Sequence, residues 1–193
     1  DLFGRRSAPP RPRSQTKDPQ FILMVPARAA ATASAPGKLI LFGEHVCVYG
    51  YTAVAASISD LRILVQVSLH DDGKSILDAS LLDLPSASPN GGHVAACIRL
   101  DELSAALKAC PDPIPPWWHP APPSTAQVEA LSALLTQLPA PDETALLPLL
   151  FLSAALLPQV LEISSGTSVR VRVRSADLPV GSGLGSSAAF SVS

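Results

Sequence analysis

The sequence predicts a mixed α+β domain, and three observations lead there. Two stretches alternate with the period of a strand: Leu61, Ile63, Val65, Val67 and Leu69, then Val169, Val171 and Val173 between Arg170, Arg172 and Arg174. Three others carry helical signals: His93–Ala109, Ser124–Leu138 and the run after Asp142. A glycine-rich segment, Pro179–Ala189, comes directly after the second strand. The chain has 193 residues, 47% of them apolar and 16% charged. That length suits about one domain, and the apolar share is enough to build a core.

Taken in order, residues 1–31 carry Arg5, Arg6, Arg11, Arg13, Lys17 and Arg28 among Pro, Ser and Ala, with few acids. Such a composition buries too little apolar surface to fold. It reads as a disordered leader rather than a transit peptide, because its prolines oppose the amphipathic helix a transit peptide needs. Met24 is the only methionine, so the stretch upstream of it is expected to be non-native. Residues 32–193 form the predicted domain. Leu39–Phe42 reads as a strand, and Leu61–Leu69 as a half-buried one. Asp71-Asp72-Gly73 reads as a hairpin turn, with Ser75–Leu82 returning antiparallel and Asn90-Gly91-Gly92 closing the unit.

His93–Ala109 reads as one helix through Val94, Cys97, Ile98, Leu103 and Leu107. Seven prolines between Pro111 and Pro123 exclude regular structure there, and Trp117 and Trp118 within it could form an apolar cover. Ser124 and Gln127 have capping-box spacing, and Val128, Leu131, Leu135 and Leu138 continue a helix. Asp142 is the expected N-cap of the next, with Glu143 in its first turn. The apolar run Thr144–Leu161 is cut by Pro148 and Pro158 and is short for a bilayer, so it reads as a buried core helix.

Composition also narrows function. A net charge of −2 and a pI near 6.1 give no global reason to expect nucleic acid or an anionic membrane. The arginine row of the last strand reads as its wet face. Cys47, Cys97 and Cys110 lack the spacing of a disulfide framework or a zinc site and read as small buried residues of a reduced compartment. His70, His93 and His119 read as surface or loop residues.

The glycine-rich segment carries the sharpest chemistry. Gly181, Gly183 and Gly185 let backbone N–H groups approach an anion, and Ser186 and Ser187 can start a helix whose N-terminus favours negative charge. No lysine comes after Gly185, which excludes a P-loop. Ser186 occupies the third glycine position of GxGxxG, and GxSxG is absent. The remaining pattern, PxGxGLGSSAA, resembles the ATP-binding motif of the GHMP kinases (galactokinase, homoserine kinase, mevalonate kinase, phosphomevalonate kinase). A second stretch, Ala35-Pro36-Gly37-Lys38-Leu39-Ile40-Leu41-Phe42-Gly43-Glu44-His45, resembles that family's N-terminal signature. Lys38 in place of the galactokinases' arginine, and the Gly-Glu-His triplet, resemble the mevalonate kinase branch. The resemblance runs from about Ala33 to Ser193, with Ser182 departing from the usual alanine.

The resemblance implies a fold: the N-terminal domain of a GHMP kinase, ribosomal protein S5 domain 2-like, truncated and lacking its C-terminal domain. It implies a reaction, the ATP-dependent phosphorylation of the C5 hydroxyl of mevalonate in isoprenoid and sterol synthesis. By the same resemblance Lys38 would be catalytic and contact ATP; Glu44 and His45 would bind substrate. Ser175, Gly181, Ser182, Gly183, Leu184, Gly185, Ser186 and Ser187 would hold ATP, with Ser187 also on Mg²⁺. The catalytic aspartate and the second Mg²⁺ ligand would lie beyond this chain, which alone would be inactive. A cytoplasmic enzyme is implied, with mevalonate as its small-molecule partner, no nucleic acid or membrane, and room for a homodimer of the complete protein. Two rivals stay open: another GHMP small-molecule kinase, and a non-catalytic nucleotide-binding relative.

Overall fold

The computed structural model describes residues 30–86, 91–115, 119, 121–138, 142–156, 166–178 and 189–191. Five strands form one mixed sheet: β1 (Ala30–Phe42), β2 (Val54–Asp71), β3 (Ile76–Pro85), β4 (His93–Arg99) and β5 (Thr167–Ala176). Their spatial order is β1-β2-β5-β3-β4. All neighbours are antiparallel except β3 and β5, which run parallel. Between β4 and β5 come α1 (Leu100–Ala109), α2 (Thr125–Leu135) and α3 (Glu143–Leu156).

The alternation of β5 explains its central place. Val169, Val171 and Val173 are buried, and pack in one core with Leu77, Ala79 and Leu81 of β3, Val94, Ala96 and Ile98 of β4, and the leucines of the helices. Leu103, Leu131, Leu135, Leu146 and Leu150 are the largest helical residues sealed there. The opposite face of β5 is polar. Arg170 and Arg172 both pair with Asp78 of β3, at 3.2 and 2.8 Å. These two arginines of the expected wet face thus clamp the one parallel strand pair.

Local chemistry sets the helix starts. Ser124 and Gln127 form the expected capping box. The buried Gln127 amide also donates to the carbonyls of Asp112 and Pro113, tying the proline-rich loop to α2. Asp142 Oδ1 accepts from the Ala145 N–H at 3.2 Å, the N-cap expected of it. In α3, Leu146, Leu149, Leu150 and Ala154 are buried, and no described helix is long and apolar enough to cross a membrane.

The structure corrects several expectations. His93–Ala109 is not one helix: it is β4 and then α1. Val94, Ala96 and Ile98 are buried while their neighbours are exposed, so a period of two governs up to Arg99. Cys97 therefore faces solvent and Cys110 is half-buried, and neither is the sealed residue expected. Ser75–Leu82 does become a strand running opposite to β2, but β5 lies between the two, so Asp72-Gly73 closes no two-stranded hairpin. Instead the Gly73 N–H donates to the Gly166 carbonyl at 2.8 Å, and Ser168 Oγ donates to Asp72. Those bonds pin the turn to the start of β5. His70 is a partly buried strand residue bonded to Ser68 Oγ. β1 begins at Ala30, two residues inside the leader expected from sequence. Trp117 and Trp118 lie outside the described residues.

Candidate functional site

β5 delivers the chain to the glycine-rich segment, and its last turn is tightly organised. The Ser175 N–H donates to Asp83 Oδ2 at 2.5 Å, joining β5 to β3. Ser175 Oγ donates to the Leu178 carbonyl. Asp177 takes a positive φ of 62°, and Leu178 is buried. Asp tolerates that left-handed conformation better than most residues, and it turns the chain out of the sheet just before Pro179.

Beside this turn lies a half-open cavity of about 200 Å³. Its apolar walls are Ile63, Leu81, Leu84, Val173, Pro148 and Phe190; its polar groups are Asp83, Ser175, Thr144 and Ser191. Residues from both flanks of the glycine-rich segment, Ser175 before it and Phe190 and Ser191 after it, thus line one cavity. An apolar cleft with few convergent polar groups suits a small organic ligand.

Of the residues singled out from sequence, Ser175 lines this cavity, with its hydroxyl already committed to Leu178. Lys38 is exposed on β1, opposite Ser57 of β2. Glu44 and His45 lie in the turn after β1, and both are exposed. None of these three lines the cavity. Gly43 sets that turn. Its φ is +88°, and a Cβ there would sit 2.7 Å from the Thr52 carbonyl oxygen and 2.8 Å from Ala53 Cα, so only glycine fits. Gly181, Ser182, Gly183, Leu184, Gly185, Ser186 and Ser187 lie outside the described residues. Among the described residues no group of three His, Cys, Asp or Glu side chains could hold a metal ion.

Sequence reasoning misses Asp83, Phe190 and the first turn of α3 as cavity residues. Thr144 and Pro148 sit more than 25 residues from Ser175 in the chain and reach it only because α3 packs back over the sheet. No local pattern signals that.

The chain is 34% identical to mevalonate kinase of Homo sapiens over 164 residues, which is 82% of this chain and 36% of that protein. It is 47% identical to mevalonate kinase of Thermococcus sibiricus over 53 residues, 28% of this chain and 16% of that one. Mevalonate kinase of Saccharomyces cerevisiae is 49% identical over 57 residues, 30% of this chain and 12% of that one. The chain therefore spans little more than a third of the length of these relatives at most. A crystal structure of Methanococcus jannaschii mevalonate kinase matches 85% of this chain and 38% of its own with TM-score 0.47 and 19% identity. Another mevalonate kinase structure matches 84% of this chain and 37% of its own with TM-score 0.46 and 19% identity. No family model matches.

Proposed function

Because the chain belongs to the mevalonate kinases of the GHMP type, we propose that it supplies the nucleotide-binding part of an enzyme that phosphorylates mevalonate with ATP. The observation that carries this reading is the cavity lined from both flanks of the glycine-rich segment. In this reading the adenine ring lies among Leu81, Leu84, Val173 and Phe190, with the Asp83 carboxylate as acceptor for its exocyclic amine; their place in one cavity supports it. The phosphates would be received by the backbone N–H groups of Gly181–Ser187, the stretch that Ser175 and Phe190 flank in sequence.

The chemistry then needs positioning and charge more than covalent help. The C5 hydroxyl oxygen bonds to the γ-phosphorus, the bond to the β–γ bridging oxygen breaks, and ADP leaves. Lys38 contributes a positive charge to the transferring group, and Glu44 and His45 orient the alcohol. The hydroxyl proton goes to a carboxylate base, the role that the family resemblance gives to an aspartate. Mg²⁺ would neutralise the phosphates, with Ser187 as its contact in this chain. The reading includes a cytoplasmic setting in isoprenoid and sterol synthesis.

Calorimetric titration of the chain with ATP and Mg²⁺ tests it. Saturable binding is expected, weakened at least about tenfold, or about 1.4 kcal/mol, by Gly183→Val in the phosphate segment and by Leu84→Trp in the cavity. A folded wild type that binds no ATP, or variants that bind as well as wild type, would refute it.

A further inference from the structure

The β1–β2 ribbon changes register at a joint. Pairing is regular from Ala30 opposite Ser68 to Pro36 opposite Arg62, and then Gly37 faces Ile58. Ser59, Asp60 and Leu61 are thus extra residues on β2, and a bulge of this kind bends and twists its ribbon. Everything past the joint, residues 37–58, carries Lys38, Glu44 and His45.

One side chain braces the joint from both strands. Arg62 Nε donates to Ser34 Oγ at 3.0 Å, and a terminal nitrogen donates to the Ser34 carbonyl at 3.1 Å. The other terminal nitrogen donates to the Ser59 carbonyl, inside the bulge, at 3.3 Å. A planar guanidinium meets three oxygens in a fixed fork, which an ammonium cannot copy. The same residue also faces the other way. Its backbone forms a parallel bridge with Asp177, the positive-φ residue that turns β5 toward the glycine-rich segment. Arg62 is therefore the residue that joins the bulge of the ribbon to the exit of β5, next to the Ile63–Ser175 pair.

We infer that Arg62 is a positioning residue that couples the ribbon 37–58 to the exit of β5. It does so by holding the bulge in the one geometry that keeps its backbone against Asp177. This rests on the nucleotide-site proposal only in that the two coupled segments serve one site. Removing the guanidinium frees the bulge, and the ribbon and the β5 exit then loosen together although they are distant in sequence.

Hydrogen exchange read by mass spectrometry on the 193-residue chain tests this, comparing wild type with Arg62→Ala, Arg62→Lys and Ser34→Ala. Arg62→Ala is expected to speed exchange at least about tenfold in residues 37–42 and 54–58 and also in 174–178, with α1 and α2 within about twofold of wild type. Arg62→Lys, which can keep one of the three bonds and loses two, should show the same two-site pattern at roughly two thirds of the size on a logarithmic scale. Ser34→Ala should loosen the ribbon less than Arg62→Ala does. Uniform acceleration through the helices would make Arg62 a general stabiliser and overturn the inference. So would acceleration confined to the ribbon. If Arg62→Ala does not fold, the Arg62→Lys pattern decides alone. The measurement uses no ligand, so failure of the nucleotide reading would be seen separately, in the ATP titration.

Discussion

Asp78→Asn isolates what holds the parallel strands together. In the wild type Asp78 accepts from Arg172 at 2.8 and 3.1 Å and from Arg170 at 3.2 Å. Hydrogen bonding from Arg172, with the charge of both guanidinium groups behind it, holds its carboxyl below the usual Asp range against the opposing effect of burial. A fully buried pair broken on one side costs about 3–5 kcal/mol. Here the side chains of Asp78 and Arg172 are each 27% exposed. Arg172 also keeps Ser80 Oγ, the Val171 carbonyl and the Asp78 carbonyl as acceptors. The loss is therefore about 1–2 kcal/mol at neutral pH, after allowing for solvent screening. For a chain of this size that lowers Tm by about 2–8 °C. The lowered folded pKa sets the sign of the pH dependence. The contribution is fully present above the unfolded Asp value of about 4 and disappears as pH falls through the folded value. Thermal melts by circular dichroism at pH 7 and near pH 3 should show the two proteins diverging at pH 7 and converging in acid. A variant within about 1 °C of wild type at pH 7, or a gap that persists unchanged in acid, would refute the clamp.

Three further outcomes are expected. Gly43→Ala should strain the turn before Glu44 by about 2–4 kcal/mol, from the positive φ and the clash with Thr52 and Ala53 together; faster hydrogen exchange at residues 44–53 would show it. Gln127→Ala should leave the Ser124 N–H and the carbonyls of Asp112 and Pro113 without their partner, costing about 2–3 kcal/mol; earlier proteolytic cleavage within 111–123 checks it. Leu150→Ala, at a site fully sealed in the core, should cost about 2–5 kcal/mol, read as a lowered denaturant midpoint with ATP affinity unchanged in the folded protein.

Much of this fold is legible in the sequence because single elements announce themselves. The Val–Arg alternation of 169–174 needs no tertiary help to be read as a strand, and Ser124-x-x-Gln127 specifies its own cap. β4 reads as helix because Val94, Cys97 and Ile98 satisfy a helical spacing as well as Val94, Ala96 and Ile98 satisfy a strand. Only the sheet edge waiting beside Leu77 and Ala79 decides between them. The insertion of β5 between β2 and β3 is not legible at all. Nothing local distinguishes a hairpin turn at Asp72-Gly73 from one opened by a strand arriving more than 90 residues later. The site divides the same way. Lys38, Glu44, His45 and 179–189 can be named as candidates from sequence pattern alone. The cavity does not, since Asp83, Thr144 and Phe190 meet only through packing.

The position of β5 gives these parts a common dependence. Its valines hold the core and its arginines hold β3. Its last residues hold Asp83 and turn through Asp177 into the glycine-rich segment. On the proposed nucleotide reading, a change that loosens any of the three weakens ATP binding only indirectly, by lowering the population of folded protein. A binding defect alone does not locate a nucleotide contact in this chain; it must be compared with stability. Asp78→Asn acts on the face of β5 opposite the valines, so its effect on ATP affinity should vanish when measured well below its Tm. Leu84→Trp fills the cavity itself, so its effect should persist at every temperature at which the protein is folded. That contrast separates a residue that holds the strand from one that meets the ligand.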